Sequence, residues 1–91
     1  MILLTHEKNS QFTAEGWEDY LYWQTQDKKV IKKINQLIKD CQRDPFLGIG
    51  KPEPLRNELS GAWSRRITEE HRLVYLVADK EIRVSGCRYH Y

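Results

Sequence analysis

The stretch Asp27-Lys28-Lys29-Val30-Ile31-Lys32-Lys33-Ile34-Asn35-Gln36-Leu37-Ile38-Lys39-Asp40-Cys41 decides the fold. Counted from Val30, its apolar residues fall at i, i+1, i+4, i+7, i+8 and i+11, a single stripe on an α-helix, and the lysines are left for solvent. Asp27 supplies the N-cap and Asp44-Pro45 stops the helix. Upstream, Thr13 reads as a second cap, with Glu15 suited to the positive helix N-terminus and Phe12 and Trp17 spaced as a hydrophobic staple. A first helix is therefore expected from about Ala14 to about Thr25, with Trp17, Tyr20 and Leu21 on one face.

Two helices separated by a couple of residues form an antiparallel hairpin whose apolar faces need a sheet to cover them. Downstream, Trp63 to Ile67, Leu73 to Ala78 and Glu81 to Tyr89 read as strands, joined by Thr68-Glu69-Glu70-His71 and the two-residue turn Asp79-Lys80. Residues before Phe12 add an edge strand, drawn from Ile2 to Thr5 or from Asn9 to Thr13. The expected fold is α+β: an N-terminal helical hairpin packed on a small antiparallel β-sheet, one domain over residues 1–91. So short a chain leans on large aromatics for its core, here Trp17, Trp23 and Trp63 with Tyr20, Tyr22 and Tyr75.

A net charge of +2 means that any nucleic-acid surface must come from the placement of cations, not from their number. Cys41 and Cys87 stand singly, without the spacing of a zinc site or a disulfide scaffold, and are expected to pack as small apolar residues in a reducing compartment. Met1-Ile2-Leu3-Leu4 is too short for a signal-peptide core and no apolar run approaches a membrane span, so the chain is expected in the cytoplasm. Nucleophile-elbow, Walker, zincin and dinucleotide motifs are all missing.

What remains is a distributed set. The segment from Pro45 to Arg56 is punctuated by glycine and proline, and it carries Glu53 between Pro52 and Pro54, which stiffen the backbone on both sides. At the other end, a strand running through Tyr89 would put Arg88 beside His90 on one face and Tyr89 with Tyr91 on the other. A carboxylate, a histidine and Arg65, Arg66, Arg72 and Arg88 would serve RNA phosphodiester cleavage, in which one group removes the 2′-OH proton, another protonates the leaving 5′ oxygen and cations hold the phosphate. Neither metal nor cofactor is required. Taken singly, such arginines are more often surface charges, and His6 and His71 read as exposed polar residues.

Several ordered segments together resemble one family. Trp17-Glu18-Asp19-Tyr20-Leu21-Tyr22-Trp23-Gln24, the helix Lys32 to Asp40, the loop Gly50-Lys51-Pro52-Glu53-Pro54-Leu55, Leu59-Ser60-Gly61, Trp63 to Tyr75 and the ending Cys87-Arg88-Tyr89-His90-Tyr91 are similar to a YoeB-type toxin of the RelE/ParE superfamily. The likeness runs from Phe12 to Tyr91 and leaves residues 1–8 as an N-terminal extension. It implies a ribosome-dependent mRNA endoribonuclease, cutting in the ribosomal A site and neutralised by a YefM-type antitoxin, with monomer or homodimer left open. Residue by residue, it implies Glu53 as general base, His90 as general acid, Arg72 on the phosphate and Tyr91 helping to form the site. Lys51, Arg56, Arg65 and Arg66 match positions expected to contact RNA or ribosome. The competing readings are a topoisomerase-poisoning toxin of the same fold and a non-catalytic ribosome binder.

Overall fold

The computed structural model describes residues 7–89. Thr13 caps α1 (Ala14–Gln26) by accepting from the Gly16 amide, and Asp27 ends α1 and starts α2 (Lys28–Arg43), its carboxylate accepting from the Lys29 and Val30 amides. One residue thus makes the bend of the hairpin. The strands β1 (Asn9–Phe12), β2 (Glu53–Pro54), β3 (Ala62–Arg66), β4 (Arg72–Val77) and β5 (Glu81–Gly86) form one sheet in the order β1-β5-β4-β3-β2. β3, β4 and β5 are the expected meander. The sheet is mixed, however, because β1 lies parallel to β5, its partner from the far end of the chain. Among the described residues no helix is long and apolar enough to cross a membrane.

The core lies between helices and sheet. Val30, Ile34, Leu37, Ile38 and Cys41 of α2 pack with Leu73, Tyr75, Ile82 and Val84 of the sheet, as the stripe requires. On α1 the buried positions are Gly16 and Trp23, whereas Trp17 is 46% exposed and Leu21 42%. Backbone proximity sets this rotation: a Cβ on Gly16 would come within 2.2 Å of the Val84 carbonyl oxygen, so this turn of α1 lies directly on β5. Trp17 is left to stack with Tyr20 and meet Phe12 edge-on at the rim, keeping the staple but not a core place.

Residue 8, read from sequence as the end of an extension, is tied in. The Lys8 amide donates to the Gln42 carbonyl, and its ammonium donates to the carbonyls of Ala78 and Asp79 in the β4–β5 turn. Residues 1–6, with the alternative strand Ile2 to Thr5 and His6, lie outside the described residues.

The segment after α2 has no periodicity, yet it is held closely. Arg65 is fully buried, and its guanidinium donates to Asp40 Oδ2 (2.6 Å), to the Asp44, Leu47 and Ile49 carbonyls and to Tyr75 Oη. Tyr75 in turn donates to the Pro45 carbonyl at 2.6 Å. Gly48, at φ +133°, fits only because it has no side chain, since a Cβ there would meet Asp40 Oδ2 at 1.9 Å. Arg65, expected from the resemblance at an RNA- or ribosome-contacting position, is thus placed inside the protein with every guanidinium nitrogen bonded there. Burial disfavours the Asp40 carboxylate, but hydrogen bonds from Arg43, the Ile49 amide and Arg65 outweigh it and bring its pKa from the ordinary 3.8 down to about 2.

Arg65→Ala is expected to cost about 3–5 kcal/mol, because it removes a fully buried guanidinium that serves the part-buried Asp40 carboxylate, Tyr75 and three carbonyls, whereas Arg66→Ala changes stability by no more than about 0.5 kcal/mol. Urea denaturation of the two variants checks the contrast. The Asp40 carboxylate, depressed in the folded state, stabilises above its unfolded pKa by about 2 kcal/mol, and this is lost as pH falls from about 4 through 2. Stability measured across that window should therefore fall more steeply in the wild type than in Asp40→Asn.

Candidate active site

Directly opposed residues of neighbouring strands share a face of the sheet. Trp63 with Tyr75 and Arg65 with Leu73 point into the helical layer, so the residues between them point out. Glu53 opposes Ser64, Ser64 opposes Val74 and Arg66 opposes Arg72, which puts Glu53, Arg66 and Arg72 on the helix-free face. Glu53 and Arg72 stand two strand spacings apart and two residues out of register, roughly 12 Å between backbones, a gap that a glutamate and an arginine side chain can together span.

Glu53 is exposed on the short edge strand β2, which is fixed to β3 by its pairing with Ser64 and by the Leu55 amide donating to Ala62. Lys51, exposed at φ +50°, lies in the turn before it, and Arg56, also exposed, precedes the 3₁₀ turn Asn57–Leu59. Arg66 is exposed, and its amide donates to the Gly50 carbonyl at 2.7 Å, tying the loop to β3. Like charges placed directly across a ladder repel, so the Arg66–Arg72 pair is a local cost that a bound anion would relieve.

Arg72 is half-buried and anchored. Its Nη1 donates to the Thr68, Glu69 and His71 carbonyls, holding the β3–β4 turn, and the residue lines a cleft with Val74, Leu59, Arg88 and Tyr89. The Arg88 guanidinium lies 3.6 Å from the Tyr22 ring centroid and 4.9 Å from that of Tyr89, a cation between two aromatic faces. Its Nε is buried without a hydrogen-bond partner among the described residues.

The chain reaches this cleft by leaving the sheet earlier than the alternation suggested. β5 ends at Gly86 because the next main-chain groups bond to α1: the Cys87 amide donates to Asp19 Oδ2 at 3.0 Å, and the Cys87 carbonyl accepts from Trp23 Nε1 at 2.8 Å. Tyr89 follows at φ +62°, outside the extended region, so the expected strand does not run through residue 89. His90 and Tyr91 lie outside the described residues. His71, expected as an exposed polar turn residue, is half-buried between Trp23 and Tyr89, with ring centroids 4.7 and 5.1 Å away. No local signal marked it, since its partners stand 48 residues before and 18 after it in the chain. Cys41 and Cys87 are buried free thiols, and burial pushes their pKa values up to about 11 and about 12.

The family model for YoeB-like toxins of bacterial type II toxin–antitoxin systems matches residues 12–91. The chain belongs to this toxin family. Toxin YoeB of Escherichia coli K12 is 64% identical over 80 residues, covering 88% of this chain and 95% of the relative. The YoeB dimer from Staphylococcus aureus is 50% identical with a TM-score of 0.86, covering 93% of this chain and 99% of that one. A heterotetrameric YoeB–YefM toxin–antitoxin complex from the same species gives 50% identity and a TM-score of 0.84, over 92% and 98%. The two-helix, five-strand arrangement is thus the fold of the YoeB-type toxins, and the match begins at the last residue of β1.

Proposed function

We propose that this toxin is a ribosome-dependent endoribonuclease that cleaves mRNA in the A site by attack of the substrate's own 2′-OH, and that a YefM-type antitoxin neutralises it. The observation that carries the reading is the shared helix-free face, where an exposed carboxylate on a braced edge strand stands with exposed Arg66 and half-buried Arg72. Glu53 takes the 2′-OH proton, Arg72 stabilises charge developing on the phosphate, and His90 protonates the departing 5′ oxygen, with Tyr91 helping to form the site. No cofactor enters this scheme. Arg66, Lys51 and Arg56, all exposed, hold the RNA or ribosome. The solved S. aureus relatives, one a dimer and one bound to YefM, support an antitoxin partner and self-association for this chain as well. Such a toxin works in the cytoplasm, where the ribosomes are.

Single-turnover cleavage of ribosome-bound mRNA tests the reading. Glu53→Gln is expected to slow it by on the order of 10²-fold or more with the fold unchanged, because general-base catalysis contributes roughly 10²–10⁴. A 2′-O-methyl group at the cut nucleotide should abolish cleavage and leave binding intact, the unmodified substrate giving a 2′,3′-cyclic phosphate and a 5′-hydroxyl. A 5′-phosphate product, or normal cleavage of the methylated RNA, would indicate an activated water instead.

Arg72→Ala should depress the cleavage step more than ribosome association, since its contact strengthens in the transition state, whereas Arg66→Ala should mainly weaken association. Equal, salt-sensitive losses of affinity with the bound complex still cleaving normally would make Arg72 an ordinary RNA contact.

A further inference from the structure

We propose that His71 is a positioning residue for cleavage, acting through its Nδ1 on the main chain of Tyr89, the residue that carries His90. The inference rests on the ribonuclease reading above. The Tyr89 amide donates to His71 Nδ1 at 2.7 Å, and the amide of the neighbouring Arg72 donates to the Tyr89 carbonyl at 3.1 Å. Both main-chain groups of Tyr89 are therefore bound by two consecutive residues, the second of them the proposed phosphate ligand. A backbone amide can only donate, so Nδ1 is the acceptor and a neutral ring carries its proton on Nε2.

The ring is itself oriented. Trp23 packs on it edge to face while its indole N–H holds the Cys87 carbonyl two residues before Tyr89. Tyr89 adopts a left-handed backbone, at φ +62°, which a bulky residue keeps only under constraint, and the His71–Arg72 pair supplies the constraint. The backbone of Tyr89 is thereby tied to the strand that carries Arg72. A placement error of about 1 Å in a proton donor can cost on the order of 10²-fold in rate, so a single hydrogen bond here has kinetic consequences. Packing against Trp23 would be met by any flat or apolar side chain, but the bond to Tyr89 requires an acceptor at the Nδ1 position.

Asparagine places a side-chain oxygen close to that position, whereas glutamine carries its oxygen to the Nε2 end of the ring. His71→Asn, His71→Gln and His71→Leu are compared for single-turnover cleavage on the ribosome, for ribosome affinity and for amide exchange at Tyr89 in the free toxin. Gln and Leu should cleave on the order of 10- to 100-fold more slowly with unchanged affinity and exchange Tyr89 faster, and Asn should recover most of both losses. If Leu does not fold, the Asn–Gln contrast between two polar variants carries the test. Equal behaviour of Asn and Gln, or wild-type cleavage by folded Gln, would overturn the assignment. A wild-type protein that fails to cleave would count against the ribonuclease reading, and the Tyr89 exchange contrast would still decide the role of His71.

Discussion

The buried guanidinium of Arg65 is the constraint on which the rest of the structure depends. Between the end of α2 and the start of β2 the chain runs without regular structure, so nothing in its own backbone ladder fixes its path. Arg65 supplies the missing partners: it collects the carbonyls of Asp44, Leu47 and Ile49, pairs with Asp40 at the end of α2, and shares Tyr75 with the core. Burial of a cation is costly, and complete hydrogen bonding to a planar fork of donors is the condition under which it is tolerated. The segment that leads to Glu53 is consequently fixed from a distance by a charge with no exposed surface.

Strand parity then divides the arginines. Arg65 and Arg66 are adjacent, yet one turns into the helical layer and the other out to the helix-free face, where Arg66 faces Arg72 across the ladder. The same basic dipeptide therefore builds the scaffold with one residue and leaves the charge of the next exposed. On the far side of the cleft, the Cys87 main chain is drawn out of the sheet by Asp19 and Trp23, and the chain arrives at Tyr89 beside Arg72. One flank of the open face is thus set by an inward-turned residue of β3 and the other by Asp19 and Trp23 of α1.

Where a signal was local, it could be read. The α2 stripe, the Thr13 and Asp27 caps and the three-strand meander follow from periodicity and capping chemistry, and all occur as expected. Glu53, Arg66 and Arg72 share a face for a reason implicit in strand alternation, although the short strand β2 gave no pattern of its own. The failures are all long-range. The rotation of α1 depends on how closely Gly16 approaches β5, the end of β5 on an aspartate 68 residues earlier, and the parallel pairing of β1 on the path across the helices. Arg65 looked like a surface charge because neither Asp40 nor the loop carbonyls are marked as its partners in sequence. The resemblance to the YoeB-type toxins could supply positions, but not which arginine points inward.

Native-state amide exchange in Arg65→Lys is the most direct test of the claim that this guanidinium holds the loop leading to Glu53. Lysine keeps the charge and loses the fork. The Ile49 amide, which donates to Asp40, and the Arg66 amide, which donates to Gly50, report on the loop, while the Tyr75 amide in the central strand reports on the core. Ile49 and Arg66 should exchange at least about tenfold faster in the variant, with a smaller change at Tyr75, as expected when a local opening is released without global unfolding. Unchanged protection at Ile49 and Arg66 in a folded Arg65→Lys protein would contradict it.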